Sequence, residues 1–458
     1  MSQGGIIMNL QGKKVLVFGS GKSGIGAAEL LGQVGAEPVI YDGNADLDKE
    51  AVVHKVKHCK DISVYAGELP EEVRKALDLV VLSPGVPTDI PIVKSFYEQG
   101  LPVWGEVELA YRTGKGRVLA ITGTNGKTTT TALLGKIMGD AEDSVFVVGN
   151  IGTPYTSKAL EMQDNTTTVA EISSFQLETI EEFAPKVSAI LNITEDHLNR
   201  HHTMEEYIRV KELIVKNQTA DDFCILNYED PVLREFGQNI TPKVVYFSSV
   251  RKLEEGIYLD GDQIILKTSK EEIPLVRTGE LKLLGQHNFE NVMAASAMAY
   301  YAGVPVESIR KSICEFTAVE HRIEYVTEKN GIAYYNDSKG TNPDAAIKGI
   351  QAMNRPTLLI GGGYDKGSSY DEWLNAFDGK VRYLVLIGQT RDKIKEAAER
   401  LGVCPCILCE NLEEAVKVCA EKANPGDAVL LSPACASWGQ FDNYEQRGDM
   451  FKEYVRNL

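Results

Sequence analysis

The chain has 458 residues, of which 43% are hydrophobic and 25% are charged, proportions typical of a soluble globular protein with a buried core. A chain of this length is expected to fold into about three domains. The formal net charge of −17 argues against nucleic acid or an anionic membrane as the main partner, because either would require a basic face.

The sequence signals of membrane insertion and export are also missing. No apolar run approaches the roughly 20 residues that a membrane-spanning helix needs. The N-terminus has no basic stretch followed by an apolar one, so no signal peptide is predicted, and Met8 is a candidate translation start. The eight cysteines show no disulfide framework, which favours a reducing cytoplasm.

The first segment, residues 1–112, alternates apolar strand-like runs with helical stretches, which predicts βαβ units around a parallel sheet. One strand leads into the glycine motif Gly19–Gly24, and Asp42 ends the next strand. This spacing is typical of a loop that holds a diphosphate at a helix N-terminus, and it permits NAD or a uridine diphosphate group. The turn Leu82–Pro87 either belongs to that site or is a plain tight turn.

The second segment, residues 113–320, opens with the phosphate-binding pattern "ITGTNGKTTTT", which follows an apolar strand and begins a helix. Backbone N–H groups of Gly123–Gly126 would hold phosphate oxygens, Lys127 would reach the β- and γ-phosphates, and the Thr128 hydroxyl would bind Mg²⁺. Ile121 stands where the usual motif has its first glycine, so a plain strand–helix turn is an alternative.

Polar residues after later strands could complete a metal and phosphate site. Glu171 follows one apolar strand, and His197 follows another. Lys211 lies on a predicted amphipathic helix, where helical spacing alone favours a solvated lysine. His197 and His201 are four residues apart and also permit zinc, although the glutamate of a zincin pattern is missing.

The remaining chain predicts a hairpin and a third α/β segment. The run "IYLDGDQIIL" is expected to turn at Asp260–Gly261. Residues 321–458 again alternate strand-like and helical stretches. The cysteines of Cys404–Cys409 permit a metal site, but the same run also fits a short buried strand.

Taken together, these motifs resemble those of the Mur ligase family, ATP-dependent enzymes that form amide bonds in peptidoglycan precursor synthesis. The likeness covers nearly the whole chain, and a loop "TGTNGKTT" without the first glycine is typical of the family. Further matches include "EISSFQLE", "NITEDHL", "LGQHNFENVMAA", "YNDSKGTNPDA" and "LLSPACASWGQFDNYEQRG". The last of these, with "SSFQLE" and the N-terminal glycine loop, is most similar to the member that adds D-glutamate.

The resemblance implies an α/β fold of three domains: a Rossmann-like UDP-binding domain (1–112), a P-loop ATPase-like domain (113–320) and a Rossmann-like amino-acid-binding domain (321–458). It implies ATP contacts from Gly123, Thr124, Asn125, Gly126, Lys127, Thr128, Thr129, Asn288, Asn291, Arg322, Asp337 and Lys339. It implies UDP-substrate contacts from Ser20, Gly21, Lys22, Ser23, Asp42, Ser83, Pro84 and Gly85. D-Glutamate would be surrounded by Lys366, Ser437, Trp438 and Tyr444, with the roles of Tyr364 and Asp365 left open.

The resemblance also implies two Mg²⁺ ions and a reaction. Thr128 and Glu171 would hold one ion, and His197 with a carbamylated Lys211 would hold the other. Asn150 would contact the substrate near its reacting carboxyl. The implied enzyme is a cytoplasmic monomer that joins D-glutamate to UDP-N-acetylmuramoyl-L-alanine through an acyl phosphate, with ATP as phosphoryl donor. Another amide ligase of the family and an NAD-dependent oxidoreductase are the alternatives.

Overall fold

The structure is a computed structural model, and it describes residues 9–57, 59, 62–150, 152–317 and 319–458. These residues form two compact units. Unit 1 comprises the described residues up to Leu275 together with Asn291–Ser312, and unit 2 comprises Val276–Glu290 and Ile313–Leu458. The candidate start at Met8 lies outside the described residues. None of the described helices is both long enough and apolar enough to span a membrane.

Unit 1 begins with a parallel sheet of short apolar strands. The strands are β1 (Lys14–Phe18), β2 (Glu37–Asp42), β3 (Ser63–Ala66), β4 (Leu79–Leu82) and β5 (Val103–Gly105), and the helices are α1 (Lys22–Gln33), α2 (Lys49–Lys55), α3 (Glu71–Lys75), α4 (Pro91–Glu98) and α5 (Glu106–Thr113). The strand order is β3-β2-β1-β4-β5. Val15 and Val17 pack in one apolar cluster and Leu16 and Phe18 in another, so β1 is buried on both faces. Because the order reverses between β1 and β4, the loops after them open a crevice.

A second sheet follows along the chain. Its strands are β6 (Arg117–Thr122), β7 (Val145–Gly149), β8 (Thr167–Glu171), β9 (Val187–Ile190), β10 (Phe223–Asn227), β11 (Lys243–Ser248), β12 (Gly256–Asp260), β13 (Gln263–Lys267) and β14 (Glu272–Arg277). The helices are α6 (Lys127–Ala141), α7 (Ser174–Leu177), α8 (Leu198–His201), α9 (Met204–Glu212), α10 (Pro231–Phe236), α11 (Gln286–Tyr301) and α12 (Val306–Glu315). The order is β14-β13-β12-β11-β10-β9-β6-β8-β7. The predicted hairpin is confirmed, because β12 and β13 are antiparallel and turn at Gly261 with φ 61°.

The third sheet lies in unit 2. Its strands are β15 (Glu324–Lys329), β16 (Ile332–Asn336), β17 (Thr357–Gly361), β18 (Val381–Leu386), β19 (Cys406–Leu408) and β20 (Ala428–Leu431). The helices are α13 (Pro343–Ala352), α14 (Asp371–Asn375), α15 (Arg391–Leu401), α16 (Leu412–Lys422) and α17 (Tyr444–Arg456). The order is β15-β16-β20-β17-β18-β19, with β15 antiparallel to β16 and the other neighbours parallel. The strand predicted at the cysteines is present as β19, but it is half-buried at the edge of the sheet and not buried as expected.

The predicted α/β fold of three parts is confirmed, because each predicted segment contains its own mainly parallel sheet among the described residues. The boundaries at 112/113 and 320/321 stay predictions. In each sheet the residues that follow the central strands meet at one edge, which brings together side chains that are far apart in the sequence.

Gly24 of α1 lies against the loop that precedes the helix. A Cβ at Gly24 would lie 1.9 Å from the carbonyl oxygen of Gly19, whereas a Cβ at Gly21 would meet none of the described atoms within 4 Å. Gly24→Ala is therefore expected to destabilise the protein by about 2 kcal/mol or more, because backbone must move. Gly21→Ala is the matched control, with an expected effect within about 0.5 kcal/mol. Thermal unfolding of both variants checks this; equal midpoints would contradict the close packing.

Candidate active site

The loop between β6 and α6 has the geometry of a phosphate-binding turn. Gly123 and Gly126 have φ values of 146° and 86°, which favour glycine at both positions. The loop ends at Lys127, the first residue of α6, whose N-terminal N–H groups can donate to anionic oxygens. The Lys127 Nζ donates to the carbonyl oxygens of Gly123 at 2.8 Å and Thr124 at 2.9 Å. The lysine therefore folds back over its own loop.

The segment after β9 braces this loop. The backbone N–H of Thr124 donates to the carbonyl of Asn192 at 2.9 Å, and the N–H of Asn125 donates to the Asn192 side-chain oxygen at 2.8 Å. The N–H of Thr194 donates to the Thr124 hydroxyl at 3.0 Å, and that hydroxyl also lies 3.0 Å from the Tyr207 hydroxyl. Sequence analysis missed Asn192 and Tyr207, although Asn192 stands within the matched motif "NITEDHL".

Asn291 is the candidate ATP residue that the structure places beside the loop. The Thr130 hydroxyl donates to the Asn291 side-chain oxygen at 3.2 Å, and a Cβ on Gly126 would lie 2.3 Å from that oxygen. Thr128 is half-buried in the first turn of α6, and Thr129 is buried behind it. The helix N-terminus and Asn291 thus form one surface in unit 1.

Glu171 ends β8, directly beside β6. Its side chain is 1% exposed, and Asn150 donates to its Oε1 at 2.9 Å through the side-chain amide. The Oε2 atom is buried and has no hydrogen-bond partner among the described residues. A buried carboxylate oxygen without a donor is costly unless a cation or another donor meets it. The structure thus joins Asn150 to Glu171 and leaves one oxygen available.

Lys211 lies on α9 with 1% of its surface exposed, so the solvated position favoured by helical spacing is wrong. Its Nζ donates to the Gly123 carbonyl at 2.9 Å and lies 4.7 Å from the centre of the Tyr207 ring. Burial first, and then the charge of Lys127, lower the pKa of Lys211 from 10.5 to about 7, while Asp196 opposes the shift. The amine is therefore largely neutral above pH 7.

His197 stands at the start of α8 with a left-handed φ of 53° and a half-exposed side chain. Its ring centre lies 4.9 Å from that of Phe175 and 6.4 Å from that of Tyr207. His201 is buried instead, with ring nitrogens 2.9 Å from the Ser174 hydroxyl and 3.4 Å from Glu178. Across the described ranges, no group of three or more His, Cys, Asp or Glu residues is arranged to hold a metal ion.

The candidate UDP-binding residues gather after β1, β2 and β4. The Ser20 N–H and hydroxyl donate to Asp42 Oδ2 at 3.0 and 2.6 Å, and the Ser83 hydroxyl points to the Gly19 carbonyl at 3.5 Å. Burial alone would raise the pKa of Asp42, but hydrogen bonds from Ser20 and Asn44 outweigh it and lower the pKa. The remaining candidates of this group lie on the loops after β1 and β4 or in the first turn of α1: Gly21, Lys22, Ser23, Pro84 and Gly85.

Unit 2 holds the other candidate nucleotide residues, Asn288, Arg322, Asp337 and Lys339. Asp337 follows β16 and is buried; burial raises its pKa to about 7, against a hydrogen bond from the Ser432 hydroxyl at 2.7 Å. The Lys339 Nζ lies 5.5 Å from the centre of the Tyr444 ring.

Of the candidate D-glutamate residues, Lys366, Ser437 and Trp438 lie on two neighbouring loops of unit 2, and Tyr444 is the first residue of α17. The Lys366 Nζ is 4.8 Å from the Trp438 ring centre, and the Tyr364 ring is 5.6 Å from it. The Tyr364 N–H donates to the Ala436 carbonyl at 2.9 Å, which ties the loops together. Trp438 is 55% exposed although the neighbouring Ser437 is buried, so an aromatic and cationic surface faces solvent.

Comparison with known proteins gives matches along the whole chain. Residues 13–105 match the Mur ligase MurD-like N-terminal domain, 121–299 the Mur ligase middle domain and 321–435 the Mur ligase glutamate ligase domain. The chain is 56% identical over 451 residues to the UDP-N-acetylmuramoylalanine–D-glutamate ligase of Lachnoclostridium phytofermentans, covering 98% of this chain and 99% of that one. It is 45% identical over 452 residues to the enzyme of that name from Clostridioides difficile, covering 98% and 100%.

Solved structures agree at the level of the fold. The UDP-N-acetylmuramate-alanine ligase MurC of Thermotoga maritima superposes with a TM-score of 0.58 at 19% identity, covering 97% of this chain and 99% of that one. MurF of Acinetobacter baumannii gives a TM-score of 0.59 at 17% identity, with coverages of 97% and 93%.

The lowered pKa of Lys211 predicts a pH-dependent stability. Folding disfavours the protonated amine, so the destabilisation is complete below pH 7 and disappears as the pH rises towards 10.5. Lys211→Met should therefore raise the melting temperature above that of the wild type by more at about pH 6 than at about pH 9.5. Thermal unfolding in carbon-dioxide-free buffer measures this, with the exposed Lys270→Met as control. A difference that does not vary with pH would contradict the buried neutral amine.

Proposed function

The chain belongs to the Mur ligase family, and on that premise we propose that it joins D-glutamate to UDP-N-acetylmuramoyl-L-alanine. The observation that carries this is full-length identity of 45–56% to proteins named UDP-N-acetylmuramoylalanine–D-glutamate ligase. The family is ATP-dependent, and the braced lysine loop supports binding of the triphosphate. We propose that the reaction takes place in the cytoplasm and that the enzyme acts as a monomer.

The chemistry follows from the low reactivity of a carboxylate towards amines. The L-alanine carboxylate attacks the γ-phosphorus of ATP, ADP leaves, and an acyl phosphate forms. The D-glutamate amine then attacks the acyl carbon, phosphate leaves, and the amine loses a proton. Lys127 and the N–H groups at the start of α6 hold the phosphates, and Asn150 orients the carboxyl near Glu171.

The donor set at the loop fits magnesium. We assign one ion to Thr128 and Glu171, because the Glu171 Oε2 is buried without a partner among the described residues. We assign a second ion to His197 and Lys211. The neutral Lys211 amine can add to carbon dioxide with loss of a proton, which gives a carbamate with carboxylate-like oxygens. Bound Mg²⁺ would neutralise charge as the two anions approach.

We assign the substrates to the loops described above. The UDP group would lie on the loops that carry Ser20 and Ser83 and against Asp42 at the end of β2, where the strand order of the first sheet reverses. We propose Asn291 as a nucleotide contact of unit 1, and Asn288, Arg322, Asp337 and Lys339 as nucleotide contacts of unit 2. D-Glutamate would lie against Lys366, Ser437, Trp438 and Tyr444.

ADP release tests the proposed function and the role of Lys127 together. Sustained ADP release, beyond about one equivalent per enzyme, should require Mg²⁺, ATP, UDP-N-acetylmuramoyl-L-alanine and D-glutamate together. Lys127→Ala should lower kcat at least about 100-fold, because a phosphate-binding cation is lost. Lys136→Ala on the same helix is the control, with turnover near that of the wild type. Faster turnover with another amino acid would assign the chain to a different ligation, and near-normal turnover of Lys127→Ala would remove the lysine from the site.

The position of Lys366 beside Trp438 predicts a selective effect on one substrate. Lys366→Met should raise the KM for D-glutamate about tenfold, since one charged contact to a carboxylate is lost. The KM for ATP should change by less than about twofold. Steady-state kinetics measure both constants, and the exposed Lys422→Met serves as the control. Equal effects on the two constants would exclude Lys366 from the amino-acid site.

A further inference from the structure

Arg447 is a buried arginine whose donors meet backbone and hydroxyl oxygens. It lies in the first turn of α17 with 1% of its surface exposed. Its Nε donates to the Ser338 hydroxyl at 3.0 Å, its Nη2 to the Ser338 carbonyl at 2.8 Å, and its Nη1 to the Cys435 carbonyl at 3.2 Å. The Ser338 hydroxyl donates in turn to the Tyr444 carbonyl at 2.8 Å. One side chain thus joins three separate segments of unit 2.

Each joined segment carries residues proposed to touch a substrate. Ser338 lies between Asp337 and Lys339, and Cys435 precedes the buried Ser437 by two residues. Because the loop of Tyr364 is tied to Ala436, the position of Lys366 also depends on this connection.

A buried guanidinium is expensive to desolvate, and burial lowers the pKa of Arg447 to about 10. Its planar fork holds donors in fixed directions, which a lysine ammonium cannot reproduce. An apolar side chain of similar volume would serve if packing alone were needed. The alignment of the fork with two backbone carbonyls therefore indicates that the relative position of the two segments is what the arginine provides.

The tips of these loops have little packing of their own. Trp438 is 55% exposed, and Lys366 is exposed beside it. Their positions are therefore set at the base of the loops, where Arg447 and Ser338 lie. Loss of the fork is expected to let both segments move while the β-strands that precede them stay paired.

We propose that Arg447 is a positioning residue that locks residues 337–339 to residues 435–438, so that nucleotide and D-glutamate are aligned by one side chain. The assignment of substrates to these segments depends on the proposed function. The lock itself is a property of unit 2 and can be measured without turnover.

Hydrogen–deuterium exchange tests the lock. In Arg447→Met, the amides of 337–341 and 434–438 should exchange at least about tenfold faster than in the wild type, because charge-assisted bonds to both segments are lost. The matched control is Arg456→Met, which changes an exposed arginine at the end of the same helix and should leave both segments unchanged. Unchanged exchange in the two segments, or equal acceleration throughout unit 2, would overturn the proposal.

Two milder variants test the proposal if Arg447→Met does not fold. Ser338→Ala keeps the guanidinium but removes the acceptor of its Nε and the link to Tyr444, so it should accelerate exchange in the same segments to a smaller extent. Arg447→Lys keeps the charge without the fork and should fall between Arg447→Met and the wild type. Wild-type exchange in both of these variants would also overturn the lock.

Kinetics test the consequence for the reaction. Arg447→Met should raise the KM for D-glutamate and for ATP at least about tenfold, with the binding constant for UDP-N-acetylmuramoyl-L-alanine changed less than about twofold. A role limited to folding would instead lower activity without changing any of the three constants, and that result would refute positioning. If the wild type itself releases no ADP with these substrates, the proposed function fails, while the exchange result still decides the lock.

Discussion

Two lysine side chains converge on one backbone oxygen. The carbonyl of Gly123 accepts from Lys127 at 2.8 Å and from Lys211 at 2.9 Å. Because Lys211 is buried and also faces the charge of Lys127, its pKa falls to about 7 and it loses its proton near neutral pH. The pair therefore divides into a lysine that we propose binds phosphate and a buried, largely neutral amine. This division depends on the exact path of the loop, which the Asn192 brace maintains.

In both units, the candidate site residues lie at the carboxyl ends of neighbouring parallel strands. In unit 1, β6 lies between β8 and β9, so the lysine loop, Glu171 and Asn192 share an edge of the sheet. In unit 2, β20 lies between β16 and β17, so the segments of Asp337, Ser437 and Tyr364 meet at one edge. Strand order thus gathers residues that are up to about a hundred positions apart, as expected for the carboxyl ends of parallel strands.

Local patterns were sufficient to predict the strands that lead into the glycine motif and the lysine loop, the lysine loop itself and the hairpin at Gly261. Glu171 was found because an acid directly follows an apolar run. Helical spacing alone favoured a solvated Lys211, because that pattern does not show which neighbours cover α9, whereas the family resemblance predicted a role for this lysine at the metal site. The Asn192 brace and Arg447 were missed for a related reason: each acts on segments that only the strand order brings near. Prediction from sequence succeeds here where a contact is local and fails where a contact depends on the sheet.

The uneven exposure of the aromatic side chains has a practical consequence for spectroscopy. The chain has three tryptophans, of which Trp104 and Trp373 are buried and Trp438 is 55% exposed. Emission at long wavelength, and its quenching by a soluble iodide salt, will therefore report mainly on Trp438. The protein carries its own fluorophore at the proposed amino-acid surface, so occupancy there can be followed by light emission without any attached dye.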